Sequence, residues 1–160
     1  MPDWETISPP GPWLDLERCR LSERILLLGP TDSVKSTLAG WLVNRMVRSV
    51  RRVGWIDGDI GQSMLGLPTT MNLALVDGIL EKVPSAEKTF FIGSSNAAGH
   101  APAILAGLKQ LQSRALDRGA KRLITDTTGF VDKKAGGLTL KQWKIELLRR
   151  AYEQQFTPGG

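Results

Sequence analysis

A chain of 160 residues, 41% hydrophobic and 23% charged, has enough apolar surface for one packed domain and requires no disulfide or structural metal. A single cysteine, Cys19, and a single histidine, His100, rule out an intramolecular disulfide and a histidine-rich metal site, argue against a cysteine-based zinc site, and suit a reducing cytoplasm. The net charge of +5 slightly favours polyanionic partners; the apolar run Ile25–Leu28 is far too short to cross a membrane, and the Met-Pro-Asp-Trp-Glu start does not read as a secretory signal.

Residues 1–22 hold four of the nine prolines and no clear periodicity, and read as an extended lead-in to a domain over 23–155. Ile25–Leu28 reads as a buried parallel strand, central in its sheet and ending at Gly29. From Lys35 the pattern turns helical: Leu38, Leu42, Met46 and Val50 recur every four residues, flanked by Ala39, Val43 and Val47, with Arg45, Arg48, Arg51 and Arg52 on the other side. Val53–Ile56 begins a second strand, Met71–Val76 is a short candidate, and Thr89–Ile92 is a clearer one. Pro102 suits the first turn of a helix whose inner face carries Ile104, Leu108, Leu111 and Ala115 and which Gly119 stops. Leu123–Thr125 is the last strand, and Leu140, Trp143, Leu147, Leu148 and Ala151 mark a final helix with Trp143 on its apolar face. Strands alternating with helices predict an α/β fold with a mostly parallel sheet covered on both faces.

Three motifs carry chemistry. Gly29-Pro30-Thr31-Asp32-Ser33-Val34-Lys35-Ser36 follows a strand, opens a helix, and matches the phosphate-loop spacing G-x-x-x-x-G-K-S at every defined position but one. Free backbone N–H groups at a helix start and the helix dipole favour phosphate there. In such a loop Lys35 reaches the β- and γ-phosphates and the Ser36 hydroxyl ligates Mg²⁺, with Thr37 next to it. The exception is Val34, where the motif has glycine. Valine resists positive φ and its side chain competes for the space of the phosphate, so weakened nucleotide binding is expected. The second motif is Trp55-Ile56-Asp57-Gly58-Asp59-Ile60-Gly61-Gln62, with two carboxylates at a strand end. They suit Mg²⁺ held through water, or acceptance of a proton from an attacking hydroxyl, with Asp59 ahead of Asp57. An Asp/Gly turn that merely ends a strand is the plainer reading. The third is Asp126-Thr127-Thr128-Gly129, an acidic residue at a strand end with glycine three later, which resembles the element that senses γ-phosphate and Mg²⁺ in many NTPases and gains weight only beside the other two motifs. His100 reads as a helix-capping or loop residue. Together the motifs predict a three-layer P-loop NTPase fold.

The motifs also occur in a recognisable order: Gly-Pro-Thr-Asp-Ser-x-Lys-Ser-Thr, Asp-x-Asp-Ile-Gly-Gln-Ser, Phe-Phe-Ile-Gly-Ser-Ser with Gly99-His100, Asp-Thr-Thr-Gly-Phe-Val, then Leu140-Lys141 and Lys144-Ile145-Glu146-Leu147. Over about residues 22–150 this resembles the P-loop domain of the Clp/Grc-type polynucleotide 5′-hydroxyl kinases, in a prokaryotic form. The resemblance implies transfer of the ATP γ-phosphate to the 5′-hydroxyl of RNA or DNA. It gives Lys35 and Ser36 the phosphate and Mg²⁺ roles, and makes Asp59 the residue that activates the 5′-hydroxyl near Mg²⁺. Gln62 becomes its neighbour at the reaction centre, and Asp126 and Thr128 a later part of the nucleotide site. It also implies further sheet and a lid whose arginines reach the transferred phosphate. The chain stops at Gly160, short of these, and Arg149 and Arg150 are its candidates. Two other readings stay open: a degenerate nucleotide-binding module without catalysis, to which Val34 points, and a related GTPase or ATPase switch, to which Asp126–Gly129 points. No N-K-x-D-like element for guanine is present.

Overall fold

The computed structural model describes residues 4, 8, 13, 15, 16, 22–29, 35–127, 139–140 and 142–147. Five strands and two long helices are built in the order β1 (Arg24–Leu26), α1 (Lys35–Val47), β2 (Val53–Gly58), β3 (Thr70–Val76), β4 (Lys88–Phe91), α2 (Ala101–Asp117) and β5 (Arg122–Thr127). They form one sheet with strand order β1-β5-β2-β3-β4. β1 pairs parallel to β5 and β5 parallel to β2, whereas β3 runs antiparallel to both β2 and β4. Four of the five strands therefore point the same way, and the sheet is mixed rather than purely parallel.

Among the described strands β1 lies at the edge, not at the centre as expected. Its residues are correspondingly half-buried, and Leu28 beyond it is 41% exposed. β2 has the continuous burial expected of a central strand, and extends two residues further than the sequence suggested, so that Asp57 lies within it.

Strand alternation divides the apolar residues between two cores. Val53, Trp55, Ala74, Val76 and Ile124 face α1, whose Ala39, Leu42, Val43 and Met46 cover them. Ile56, Met71, Leu73 and Leu123 face α2 and meet Ile104, Leu108, Leu111 and Ala115, the stripe read from the sequence. Pro102 sits in the first turn of α2, and Gly119, at φ +82°, follows its C-cap Arg118. His100 is the N-cap residue, but its side chain makes no capping hydrogen bond.

The lead-in is more integral than its composition suggested. Trp4 is 3% exposed and packs edge-on against Trp55, with ring centroids 5.8 Å apart. Gly40 of α1 makes this possible, because a Cβ there would collide with the Trp4 indole. Trp13 stacks obliquely on Trp41, and Arg45 donates to the carbonyl of Leu16. α1 is thus covered on the side where only arginines were expected. In the helical residues at 139–140 and 142–147, Leu140 and Lys144 are buried, whereas Trp143 is 49% exposed. Trp143 therefore does not join the core. Leu148, Arg149, Arg150 and Ala151 lie outside the described residues.

Candidate functional site

β1, β2, β4 and β5 all deliver their carboxyl ends to one rim of the sheet, which is where open α/β sheets bind ligands. Lys35 opens α1 immediately after the phosphate-loop segment, and its side chain is 9% exposed. Gly29, Ser36 and Thr37 are each half-buried around it. Pro30, Thr31, Asp32, Ser33, Val34 and Thr128 lie outside the described residues.

The Ser36 hydroxyl donates to Asp126 Oδ2 at 2.6 Å across 90 residues of sequence. Asp126 Oδ1 accepts from the backbone N–H of Thr127 at 2.8 Å, which fixes the carboxylate plane. Thr127 is held in turn by its own hydroxyl, which donates to the carbonyl of Leu27 at the end of the β1 segment. Burial pushes the Asp126 carboxyl up to about 6. The Ser36 hydrogen bond opposes this, the Asp57 charge adds to it, and Thr127 N–H and Lys35 pull it down.

Asp57 lies directly opposite Asp126 in the register of β2 and β5. Burial raises its pKa as well, against hydrogen bonds from Leu65, Ser63, Asp59 and Met64. Its Oδ2 accepts from Ser63 Oγ (2.8 Å), Met64 N (2.6 Å) and Leu65 N (2.9 Å), and its Oδ1 from Asp59 N (3.1 Å). Asp57 is thereby the anchor of the loop that follows β2. Asp59 is half-buried in that loop. Its Oδ1 accepts from Gly61 N and Gln62 N at 3.0 and 3.1 Å, and Oδ2 makes no hydrogen bond among the described residues. The Gln62 side chain is exposed.

The sequence reading missed the way this arrangement continues. Asn72 is the register partner of Asp57, and Thr89 that of Asn72. Asp126, Asp57, Asn72 and Thr89 form one lateral row over four strands, roughly 14 Å at about 4.8 Å per strand. Asn72 is 1% exposed, donates to Ser63 Oγ and Thr70 Oγ1, and accepts from Thr89 Oγ1. A hydrogen-bond chain thus runs from Thr89 through Asn72 and Ser63 to Asp57. The signal for Asn72 was its polar side chain between apolar Met71 and Leu73, but its role depends on strand register. Ser63 and Thr127 lie inside motifs quoted from the sequence, but no role was read for either of them there.

Hard oxygen donors and a buried carboxylate whose pKa stays raised suit a divalent cation, so Ser36 with Asp126 fits Mg²⁺ by chemistry. No group of three or more histidine, cysteine, aspartate or glutamate residues suited to a metal occurs among the described residues. No described helix is long and apolar enough to cross a membrane.

Residues 29–152 match the family described as mRNA cleavage and polyadenylation factor CLP1 P-loop. The chain belongs to this family. Its α/β sheet between α1 and α2 is accordingly a P-loop NTPase fold. The CLP1 P-loop region is also similar to named polyribonucleotide 5′-hydroxyl-kinases. One from Methanocaldococcus jannaschii is 33% identical over 128 residues, covering 79% of this chain and 35% of that protein. One from Pyrococcus abyssi is 29% identical over 136 residues, covering 84% and 38%. The polyribonucleotide 5′-hydroxyl-kinase Clp1 of Danio rerio is 39% identical over 54 residues, 34% of this chain and 12% of that protein. The chain spans little more than a third of the length of the archaeal relatives it matches.

Proposed function

We propose that this CLP1 P-loop domain binds ATP with Mg²⁺ and transfers the γ-phosphate to the 5′-hydroxyl end of RNA or DNA. The hydrogen bond from Ser36 to buried Asp126, at the head of α1 and beside the Asp57–Gln62 loop, carries the reading. The residues divide the work. The segment from Gly29 through Pro30, Thr31, Asp32, Ser33 and Val34 to Lys35 wraps the phosphates with backbone N–H groups at the start of α1. The Lys35 ammonium neutralises charge on the β- and γ-phosphates, and Thr37, Asp126 and Thr128 complete the nucleotide pocket. Ser36 and Asp126 hold Mg²⁺, with Asp59 close by on the neighbouring loop. Bound Mg²⁺ supplies charge neutralisation of the phosphate oxygens.

Asp59 is the general base. Two backbone N–H groups fix its Oδ1, and Oδ2 takes the proton of the 5′-hydroxyl as that oxygen bonds to the γ-phosphorus. The bond from the γ-phosphorus to the bridging β–γ oxygen breaks, and ADP carries the electron pair away. Gln62 on the same loop orients the attacking hydroxyl. No step involves a membrane, and a cytoplasmic setting suits ATP and nucleic-acid ends.

The test is transfer of labelled γ-phosphate from ATP to a 5′-hydroxyl oligoribonucleotide by the chain and by its Asp59→Asn variant. Mg²⁺-dependent labelling that Asp59→Asn reduces by about 100-fold or more supports the reading, since general-base assistance is worth roughly 10²–10⁴. Unchanged labelling in Asp59→Asn overturns its role. Val34 favours a second reading, a non-catalytic module that binds nucleotide weakly or not at all, which predicts no labelling even where Val34→Gly tightens ATP binding.

A further inference from the structure

We propose that Phe91 is a stacking platform for one of the first bases of the single-stranded polynucleotide whose 5′ end reaches Asp59; this rests on the kinase reading above. Phe91 ends β4 on the carboxyl rim of the sheet and is 72% exposed. It is not an overflow of the core. Its neighbour Phe90 takes the core position, where its ring lies against Gly107 of α2. Strand alternation then puts Phe91 on the opposite face, with Thr89, Asn72 and Asp57.

The backbone around the ring is tied to the Asp59 loop. The Phe91 ring lies over the turn at Gly93, where a Cβ would stand 3.4 Å from Cε1, and Gly93 has φ +81°. Ile92 N and Gly93 N donate to the carbonyl of Thr69, and Thr69 N donates to the carbonyl of Ile60, the residue after Asp59. Thr69 is the one non-glycine residue at positive φ (+71°) among the described residues. Such strain persists only where surrounding contacts over-determine it, and it clusters at ligand clamps. Here it sits at the junction of the two segments. The carbonyl of Ser95 lies 3.3 Å from the Cβ position of Gly61, a second contact between the same loops. Exposed Leu67 is tied to the strand beside Phe91. Its carbonyl accepts from Thr70 Oγ1, and Thr70 is the register partner of Phe91.

An exposed aromatic face on a rim otherwise built for phosphates and hydroxyls serves a base, because every base presents a π-face to stack on. β2 and β4 are two strand spacings apart, about 10 Å. That is the reach of two or three nucleotides at about 3.4 Å each. A mononucleotide at the phosphate loop makes no use of the ring.

The experiment is fluorescence anisotropy of an end-labelled 5′-hydroxyl oligoribonucleotide about eight nucleotides long, titrated with the chain and with Phe91→Ala, Phe91→Tyr and Phe91→Trp. Stacking on one ring predicts a loss of about 5- to 100-fold in Phe91→Ala, affinity within a few-fold of the parent in the aromatic variants, and unchanged ATP affinity and urea midpoint throughout. Equal oligonucleotide affinity for the parent and Phe91→Ala overturns the platform and leaves the kinase reading standing. Equal losses in all three variants also overturn it, since stacking is then not the cause. A parent chain that binds no oligonucleotide overturns the kinase reading and the platform with it.

Discussion

The two ends of the row Asp126–Asp57–Asn72–Thr89 live in different physical surroundings. At the β5 end, Asp126 and Asp57 are each 1% exposed and face one another, and burial raises both pKa values. At the β4 end, Thr89 and Phe91 are exposed. The inner end holds two buried carboxylates whose charge their hydrogen bonds and Lys35 offset only in part, which costs the fold stability. The outer end leaves apolar surface open at little cost to folding. The effect of removing a group should therefore depend on what the group does there: losing the Asp126 charge gives a firmer fold, losing Asp57 also strips four donors of their acceptor, and trimming a side chain at the outer end costs little stability.

Asp57 tests that contrast most severely, because it is both a buried charge and the acceptor of four hydrogen bonds. Asp57→Ala leaves Met64 N and Leu65 N without their acceptor. The expected loss is about 3–5 kcal/mol of unfolding free energy, since unsatisfied buried donors cost about 1–3 kcal/mol each and outweigh the relief of charge. Urea denaturation reads this directly; a loss below about 1 kcal/mol would show that the loop does not depend on Asp57.

Asp126 should behave in the opposite way. Its carboxyl is raised from 3.8 to about 6, so between those values the folded state keeps a proton that the unfolded chain has lost. Stability then falls as pH rises from about 4 to 6 and levels off above. Two units amount to roughly 3 kcal/mol. Asp126→Asn removes that slope and should stabilise the empty chain above pH 7 by up to that amount, as thermal melts across pH 4–8 would show. Parallel pH profiles for the two proteins would mean that Asp126 is not held protonated by its surroundings.

Val34 belongs to the inner end by sequence. Val34→Gly should recover one or two N–H contacts to phosphate, about 1.5–3 kcal/mol each, and so tighten ATP binding by tens of fold or more. Equal affinities under matched salt would show that the loop accommodates valine. Thr89→Ala is the mildest change. It removes one hydrogen bond to Asn72 at the exposed end and should cost about 1 kcal/mol, with ATP affinity unchanged.

What was legible in the sequence is what is local. The helix that opens at Lys35, the α2 stripe from Ile104 to Ala115 and the strand-end Asp126 depend on a few neighbouring positions, and each stands where it was expected. Pairing across the sheet was not legible. β1 looked central because Ile25–Leu28 is apolar, yet edge or centre depends on which strands pair with it. Asp57 looked like a second catalytic carboxylate, yet its donors come from residues two to eight positions onward, folded back by a turn. Asn72 joins the site only through register with Asp57 on one side and Thr89 on the other. Trp4 gave no periodic signal, because a single side chain lodged against Gly40 has no period.

The central claim is that Ser36 and Asp126 hold the cation while Asp59, one strand away, faces the hydroxyl. Calorimetric titration of ATP with and without Mg²⁺, at pH 7.5, separates the two roles when made on the parent chain, Asp126→Asn and Asp59→Asn, each also carrying Val34→Gly. The account predicts that Mg²⁺ strengthens ATP binding in the parent and in Asp59→Asn, and that Asp126→Asn loses at least about tenfold of this gain. A gain that survives in Asp126→Asn and disappears in Asp59→Asn would contradict it, as would a parent that binds no ATP in either background.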